Sequence, residues 1–470
     1  MNFKSISFYL SLFCFPIGLL AFINILYASY FDFFLSIDTY FTTLIISLLV
    51  GFGLFYYGKN SSKNMNFFEQ LILVIISYLL TAILIAIPFY FSNYQVTFLN
   101  SIFESISGLT GTGFSIFKNI KYLDPTLILW RSSSQWIGGL FFLFFLIIIF
   151  SNKSFNYKMT NLAYSGDNNF NSKENIKDNM FKIFIIYSSL SVIILTLLNI
   201  SGLRLFNSLN MTMTLVSGGG FIPTDNVSKI IETNFQKIVF IFSLLVSMMN
   251  FYLLFNLFNK KILTKEHKED FYLIILTIFL FILIYFNNYK GLDIIISVVS
   301  SLANSGLSLL ETSNNLSLYF LLITIIGGSL ISNTSGIKFT RFYILLKITS
   351  AEIIKLISPN SIINKTIYNS DKKVSDENIK ISFLIFISFF LSLFILSSLL
   401  VIDNIGFERS FKLSILALTN TVNSEMYNMQ SLNFSNLLTS SKISLILFMI
   451  IGKIELISIF LIFKKILFKD

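Results

Sequence analysis

The residue types that stand out along this chain are small and polar. Glu104-Ser-Ile-Ser-Gly-Leu-Thr-Gly-Thr-Gly-Phe114 sets glycine and threonine side by side at the end of a short apolar segment. Carbonyls held in such a run replace the water around a cation, and Gly111 and Gly113 permit the extended, positive-φ backbone that aims them at a common axis. A helix C-cap with a loop behind it accounts for Gly113 alone, but not for the same arrangement recurring after other short segments.

Chemistry on a covalent substrate needs other residues. His267 is the sole histidine and lies in a charged linker, and no carboxylate pair at metal-ligand spacing falls within an apolar run. That argues against catalytic residues and against an intramembrane enzyme acting on lipids or lipid-linked sugars. Cys14 is the only cysteine, so no internal disulfide forms. Three charged residues near apolar runs carry alternatives. Lys453 either faces an ion path as a fixed positive charge, or snorkels to the interface, or pairs with Glu455. Glu104 and Arg131 either brace the first glycine run or sit at the outer interface.

The elements that position these residues follow from composition. Of 470 residues, 54% are hydrophobic and 12% charged, and the mean hydropathy of +0.76 is too apolar for a fold that covers itself against water. The net charge of +10 arises from lysines and arginines concentrated between apolar runs, a membrane-flank pattern and not a nucleic-acid footprint. Runs long enough to cross ~30 Å of hydrocarbon occur at 6–30, 36–57, 68–92, 126–150, 179–200, 234–257, 270–288, 317–349, 379–402 and 440–466. The first follows Lys4 but is longer than the apolar core of a signal peptide, and it is read as a retained span.

Shorter apolar segments near 97–110, 205–217, 291–304 and 408–420 are too short to cross and too apolar for free loops. Irregular backbone at membrane depth must be buried in protein or line a watery cavity, so four re-entrant segments imply a central pore. The reading is an all-α polytopic membrane protein: residues 1–62 form two extra transmembrane helices, and 63–165, 166–262, 263–370 and 371–470 form four pseudo-symmetric helix, pore-loop, helix repeats. Lysines cluster in the linkers 151–178, 258–269 and 350–378, which places both termini in the cytoplasm and the pore loops on the outer half.

The first glycine run, followed by Leu129-Trp-Arg-Ser-Ser-Ser-Gln-Trp-Ile-Gly-Gly139, resembles the first pore loop and next helix of the Trk/Ktr/HKT potassium-transporter superfamily, in particular its TrkH-like membrane subunits. Ser217-Gly-Gly-Gly-Phe221, Val298-Val-Ser-Ser-Leu-Ala-Asn-Ser-Gly306 and Ala417-Leu-Thr-Asn-Thr421 resemble the second, third and fourth loops. The resemblance implies a potassium filter lined by Thr110, Gly111, Thr112 and Gly113, by Ser217, Gly218, Gly219 and Gly220, by Ala303, Asn304, Ser305 and Gly306, and by Thr419, Asn420, Thr421 and Val422. Gly327-Gly-Ser-Leu-Ile-Ser-Asn-Thr-Ser-Gly-Ile-Lys338 resembles the family's intramembrane gating loop, which makes Gly327, Gly328, Gly336 and Lys338 gating candidates beside Lys453; a close helix crossing between small residues is the alternative. Gly452-Lys-Ile-Glu455 resembles the family's GRLE, with Lys453 in the arginine's place.

The family likeness further implies channel-like potassium uptake across a bacterial inner membrane, a homodimer embedded in lipid, a separate cytoplasmic TrkA-like nucleotide-binding regulatory subunit, and no cofactor. Departures bear on selectivity: the third loop reads Ala303-Asn304-Ser305-Gly306 where the family is threonine-rich, and Val422 stands where the other loops carry Gly113, Gly220 and Gly306. A β-branched residue avoids positive φ, so the fourth loop is expected to adopt a conventional backbone and discriminate less well between potassium and sodium. The alternatives are therefore a diverged paralogue with relaxed selectivity or a regulatory subunit with little flux of its own.

Overall fold

A computed structural model describes residues 2–61, 65–150, 176–258, 268–285, 291–310, 314–358, 366, 368, 374–429 and 432–454. The proposed repeat boundaries at 62/63, 165/166, 262/263 and 370/371 lie outside these residues, as do His267 and Glu455. The chain begins with two long helices, α1 (Phe3–Tyr30) and α2 (Phe34–Gly58), which pair along their length. Four units follow: α3 (Phe67–Tyr90), α4 (Phe98–Thr110) and α5 (Pro125–Phe150); then α6 (Ile176–Ile200), α7 (Leu205–Ser217), α8 (Asn234–Met248) and α9 (Phe251–Phe258). The third unit comprises α10 (Lys268–Tyr285), α11 (Gly291–Leu302), α12 (Asn314–Ile326) and α13 (Phe339–Ile357), and the fourth α14 (Asp376–Ile402), α15 (Phe407–Leu418) and α16 (Thr439–Ile454).

Apolar length decides which helices cross a membrane. Among the described residues five are long and apolar enough by composition alone, within α1, α2, α3, α6 and α14. Their outer faces carry exposed side chains such as Leu19, Phe52, Phe383 and Phe394, apolar surface that suits lipid and not water. The protein is a multi-pass, all-helical membrane protein.

The short helices α4, α7, α11 and α15 each pack between the two spans of their own unit. On each of them a buried hydroxyl is satisfied by donating one turn back: Thr110 to Ile106 O at 2.8 Å, Ser217 to Met213 O at 3.0 Å, Ser301 to Ser297 O at 2.7 Å and Ser414 to Ser410 O at 2.7 Å. Each second span also packs on the next unit's short helix: α5 on α7, α8 on α11, α12 on α15, and α16 back on α4. The ring therefore closes. Within the first and fourth units, Gly138 and Gly452 let the second span approach its own short helix, since a Cβ at either would lie 2.0 Å from Leu109 O or 2.3 Å from Leu418 O, the corresponding carbonyls near the ends of α4 and α15.

Two spans read from sequence as continuous are broken. The interruption of 317–349 at residues 327–338 is where the glycine-rich segment places it. The interruption of 234–257 is a correction. Met249 is extended at φ −74°, ψ 160°, and the freed backbone groups find partners elsewhere: Met248 O accepts Ser329 N–H at 2.9 Å, Phe251 N–H donates to Ile331 O at 2.7 Å, and Asn250 N–H donates to Asp270 Oδ1 at 2.8 Å. No proline or glycine marks the break in sequence.

Candidate functional site

The short helices end alike. One residue past α4 and α7 and two past α11 and α15, the backbone turns left-handed at Gly111 (φ 82°), Gly218 (φ 68°), Asn304 (φ 56°) and Asn420 (φ 50°). Glycine and asparagine are the residues that tolerate this conformation. The loops that follow meet one another: an ideal Cβ on Gly111 lies 3.8 Å from Gly219 Cα, one on Gly218 lies 3.4 Å from Ala303 O, one on Gly306 lies 2.8 Å from Thr421 Cγ2, and Asn420 Nδ2 donates to Thr112 Oγ1 at 3.0 Å. Four helix C-termini, each with the negative end of its dipole, thus surround one place.

The candidate ligands of all four loops come together here. Two positions later the loops diverge. Gly113 (φ 78°) and Gly306 (φ 69°) keep positive φ, whereas Gly220 and Val422 do not. Val422 has the conventional backbone expected of it; Gly220 does not share the conformation of Gly113, and what it needs is space, because a Cβ there would lie 2.4 Å from Val422 Cβ.

A buried shell holds the loops in position. Arg131 on α5 and Glu104 on α4 are 1% and 0% exposed and pair at 2.8 Å, so they brace the first loop and do not sit at an interface. Glu104 also accepts Ile116 N–H at 2.8 Å and the Ser115 hydroxyl at 3.1 Å, and Arg131 donates to Ser115 Oγ at 2.9 Å while lying 4.1 Å from the Phe221 ring. Gln135 escaped the sequence reading. Its Oε1 accepts Phe221 N–H at 3.0 Å and fixes the second loop from the first unit's span. Its signals were its place in the Leu129–Gly139 run and one helical turn beyond Arg131 on α5.

The interrupted segment 327–338 lies beneath the loops. Gly327 (φ 71°) and Gly336 (φ 79°) supply its turns, and Gly328 N–H donates to Thr334 Oγ1 at 3.1 Å. Asn333 Nδ2 donates to Val216 O at 2.9 Å, Ser335 N–H to Asn304 Oδ1 at 3.1 Å, and Ser335 Oγ to Asn420 Oδ1 at 2.8 Å. The segment is thereby fastened to the ends of three of the four short helices. Lys338 is buried and its ammonium is bound by the segment's own atoms, Ser332 O at 3.1 Å, Thr334 Oγ1 at 3.1 Å and Thr334 O. Lys453, 3% exposed, donates to Asn333 O at 2.7 Å and lies 4.9 Å from the Phe142 ring, so it neither snorkels nor leaves the segment. From the other side Glu269 accepts Leu330 N–H at 2.7 Å.

Above the loops opens a cavity of about 790 Å³ whose lining includes Gly113, Gly220, Leu307, Val422 and Phe434. It lies on the opposite side of the loops from segment 327–338.

The closed ring of four short helices and their converging loops defines an all-helical membrane protein with one central loop cluster. No protein-family model matches the chain. It is 28% identical over 450 residues to an uncharacterized cation transporter of Methanocaldococcus jannaschii, covering 92% of this chain and 90% of the other. It is 23% identical over 453 residues to the Trk system potassium uptake protein TrkG of Escherichia coli, covering 91% of each. The crystal structure of the potassium transporter TrkH from Vibrio parahaemolyticus superposes with a TM-score of 0.85 at 18% identity, covering 98% of both chains, and shares its fold. Over nearly its whole length the chain is therefore similar to Trk-type transporter membrane subunits.

Proposed function

We propose that this protein takes up potassium by channel-like permeation through the ring of four loops, gated by segment 327–338. The observation that carries the reading is the four-fold recurrence of a left-handed residue at 111, 218, 304 and 420 where four short helices end against one another. Such a ring offers carbonyls from every side, which is what a dehydrated monovalent cation requires. An inward electric field then supplies the driving force, roughly 2.3 kcal/mol per charge per 100 mV. Relatives named for potassium uptake support the choice of ion. The same proposal includes a cytoplasmic-membrane location with both termini inside, a homodimer, and a TrkA-like regulatory subunit.

Segment 327–338 is read as the gate because it is tied to Val216, Asn304 and Asn420 under the loops, and Lys453 is read as the charge that holds it there. Rubidium uptake by a potassium-uptake-deficient host, with and without a TrkA-like subunit, tests the function. Gly113→Ser, which places a Cβ at φ 78° and 3.0 Å from Val422, is expected to abolish uptake at unchanged membrane insertion. Undiminished uptake in that variant rejects the ring as the path.

A further inference from the structure

We propose that the Val422 side chain is a second gate, closing the outer end of the ion path. Its isopropyl group reaches all three other loops at the level of their glycines. An ideal Cβ on Gly220 lies 2.4 Å from Val422 Cβ and 2.7 Å from Cγ1; one on Gly113 lies 3.0 Å from Cγ2; one on Gly306 lies 3.0 Å from Cγ1. A side chain in contact with three loops of a four-loop ring occupies their meeting point. The three glycines leave the space, and the valine fills it.

The chemistry of the two levels differs. At the inner level the ring is polar: Asn420 donates to Thr112 Oγ1 at 3.0 Å, and Asn304 Nδ2 lies 3.4 Å from Thr421 Oγ1. At the outer level the floor of the 790 Å³ vestibule carries Val422, which is 8% exposed. A cation arriving in the vestibule meets a methyl group where a carbonyl is needed, and hydrophobic constrictions of this kind block ions by excluding their water. Valine has few accessible rotamers, so opening requires the fourth loop to withdraw and not merely a side-chain swing. The path is then shut twice in series, by Val422 above the polar ring and by segment 327–338 below it.

This inference rests on the reading that cations pass through the ring, and the experiment separates the two. Rubidium uptake into liposomes holding the full chain is compared for the native protein, Val422→Ala, Val422→Gly and Val422→Leu at equal reconstituted protein. Removing methyl groups from apolar packing is expected to raise uptake about tenfold or more in the glycine variant and less in the alanine variant; leucine is expected to lower it. Gly113→Ser is then added to Val422→Gly. Loss of the gained uptake keeps the path in the ring, while its persistence overturns the pathway reading. Uptake in Val422→Gly equal to or below native, in protein with a native-like melting profile, overturns the gate; so does unaltered uptake in Val422→Leu.

Discussion

Segment 327–338 is held against the pore helices by a small number of identifiable bonds, and one of them is removable with little else disturbed. Ser335 Oγ donates to Asn420 Oδ1 at 2.8 Å, both residues being buried. Ser335→Ala deletes that bond only. A neutral buried hydrogen bond contributes about 1 kcal/mol, so the undocked fraction should rise about fivefold. Gates in series multiply, so basal rubidium uptake should rise by the same factor whatever the state of Val422. Asn420→Gly removes the other partner while keeping the left-handed backbone, since glycine occupies the matching positions 111 and 218. It loses two further bonds, to Thr112 Oγ1 at 3.0 Å and Met449 O at 2.8 Å, and its effect should be larger. In the double variant the Ser335 substitution should add nothing, giving a coupling of about 1 kcal/mol in uptake converted to free energy. Uptake factors that simply multiply, at equal protein in the membrane, would refute docking of the segment through Asn420.

Lys453→Ala should also raise basal uptake, by about tenfold or more, because a charged donor to Asn333 O contributes about 1.5–3 kcal/mol; an unchanged rate in the same assay separates Lys453 from gating. Arg131→Ala should destabilise the fold by about 3–5 kcal/mol, since it strands Glu104 at 0% exposure, and the loss is read as a lower melting temperature of purified protein. Arg131→Met combined with Glu104→Gln should recover part of that loss, and a double variant no more stable than Arg131→Ala counts against the buried pair as the cause.

Sequence determined the membrane architecture because apolar length is a local property. Segments near 97–110 and 205–217 emerge as Phe98–Thr110 and Leu205–Ser217, since each is bounded by glycine or polar residues and is too short to cross. Gly111 and Gly113 were legible for the same reason, as their backbone conformation is a property of the residue itself. The glycine-rich interruption at 327–338 likewise announces itself.

Partners distant in sequence decided the rest. The break between Met248 and Phe251 has no local cause; it exists because Ser329, Ile331 and Asp270 satisfy the freed backbone. Lys453 had three readings in sequence, and only the approach of Asn333 across 120 residues places its ammonium. Gly220 looks equivalent to Gly113 in sequence, yet its backbone is ordinary and its lack of a side chain serves Val422 instead. Val422 itself reads from sequence as a lost glycine, a change in backbone alone. That its side chain fills the centre of the ring follows only when four loops, separated by roughly a hundred residues each, are brought to one point by packing.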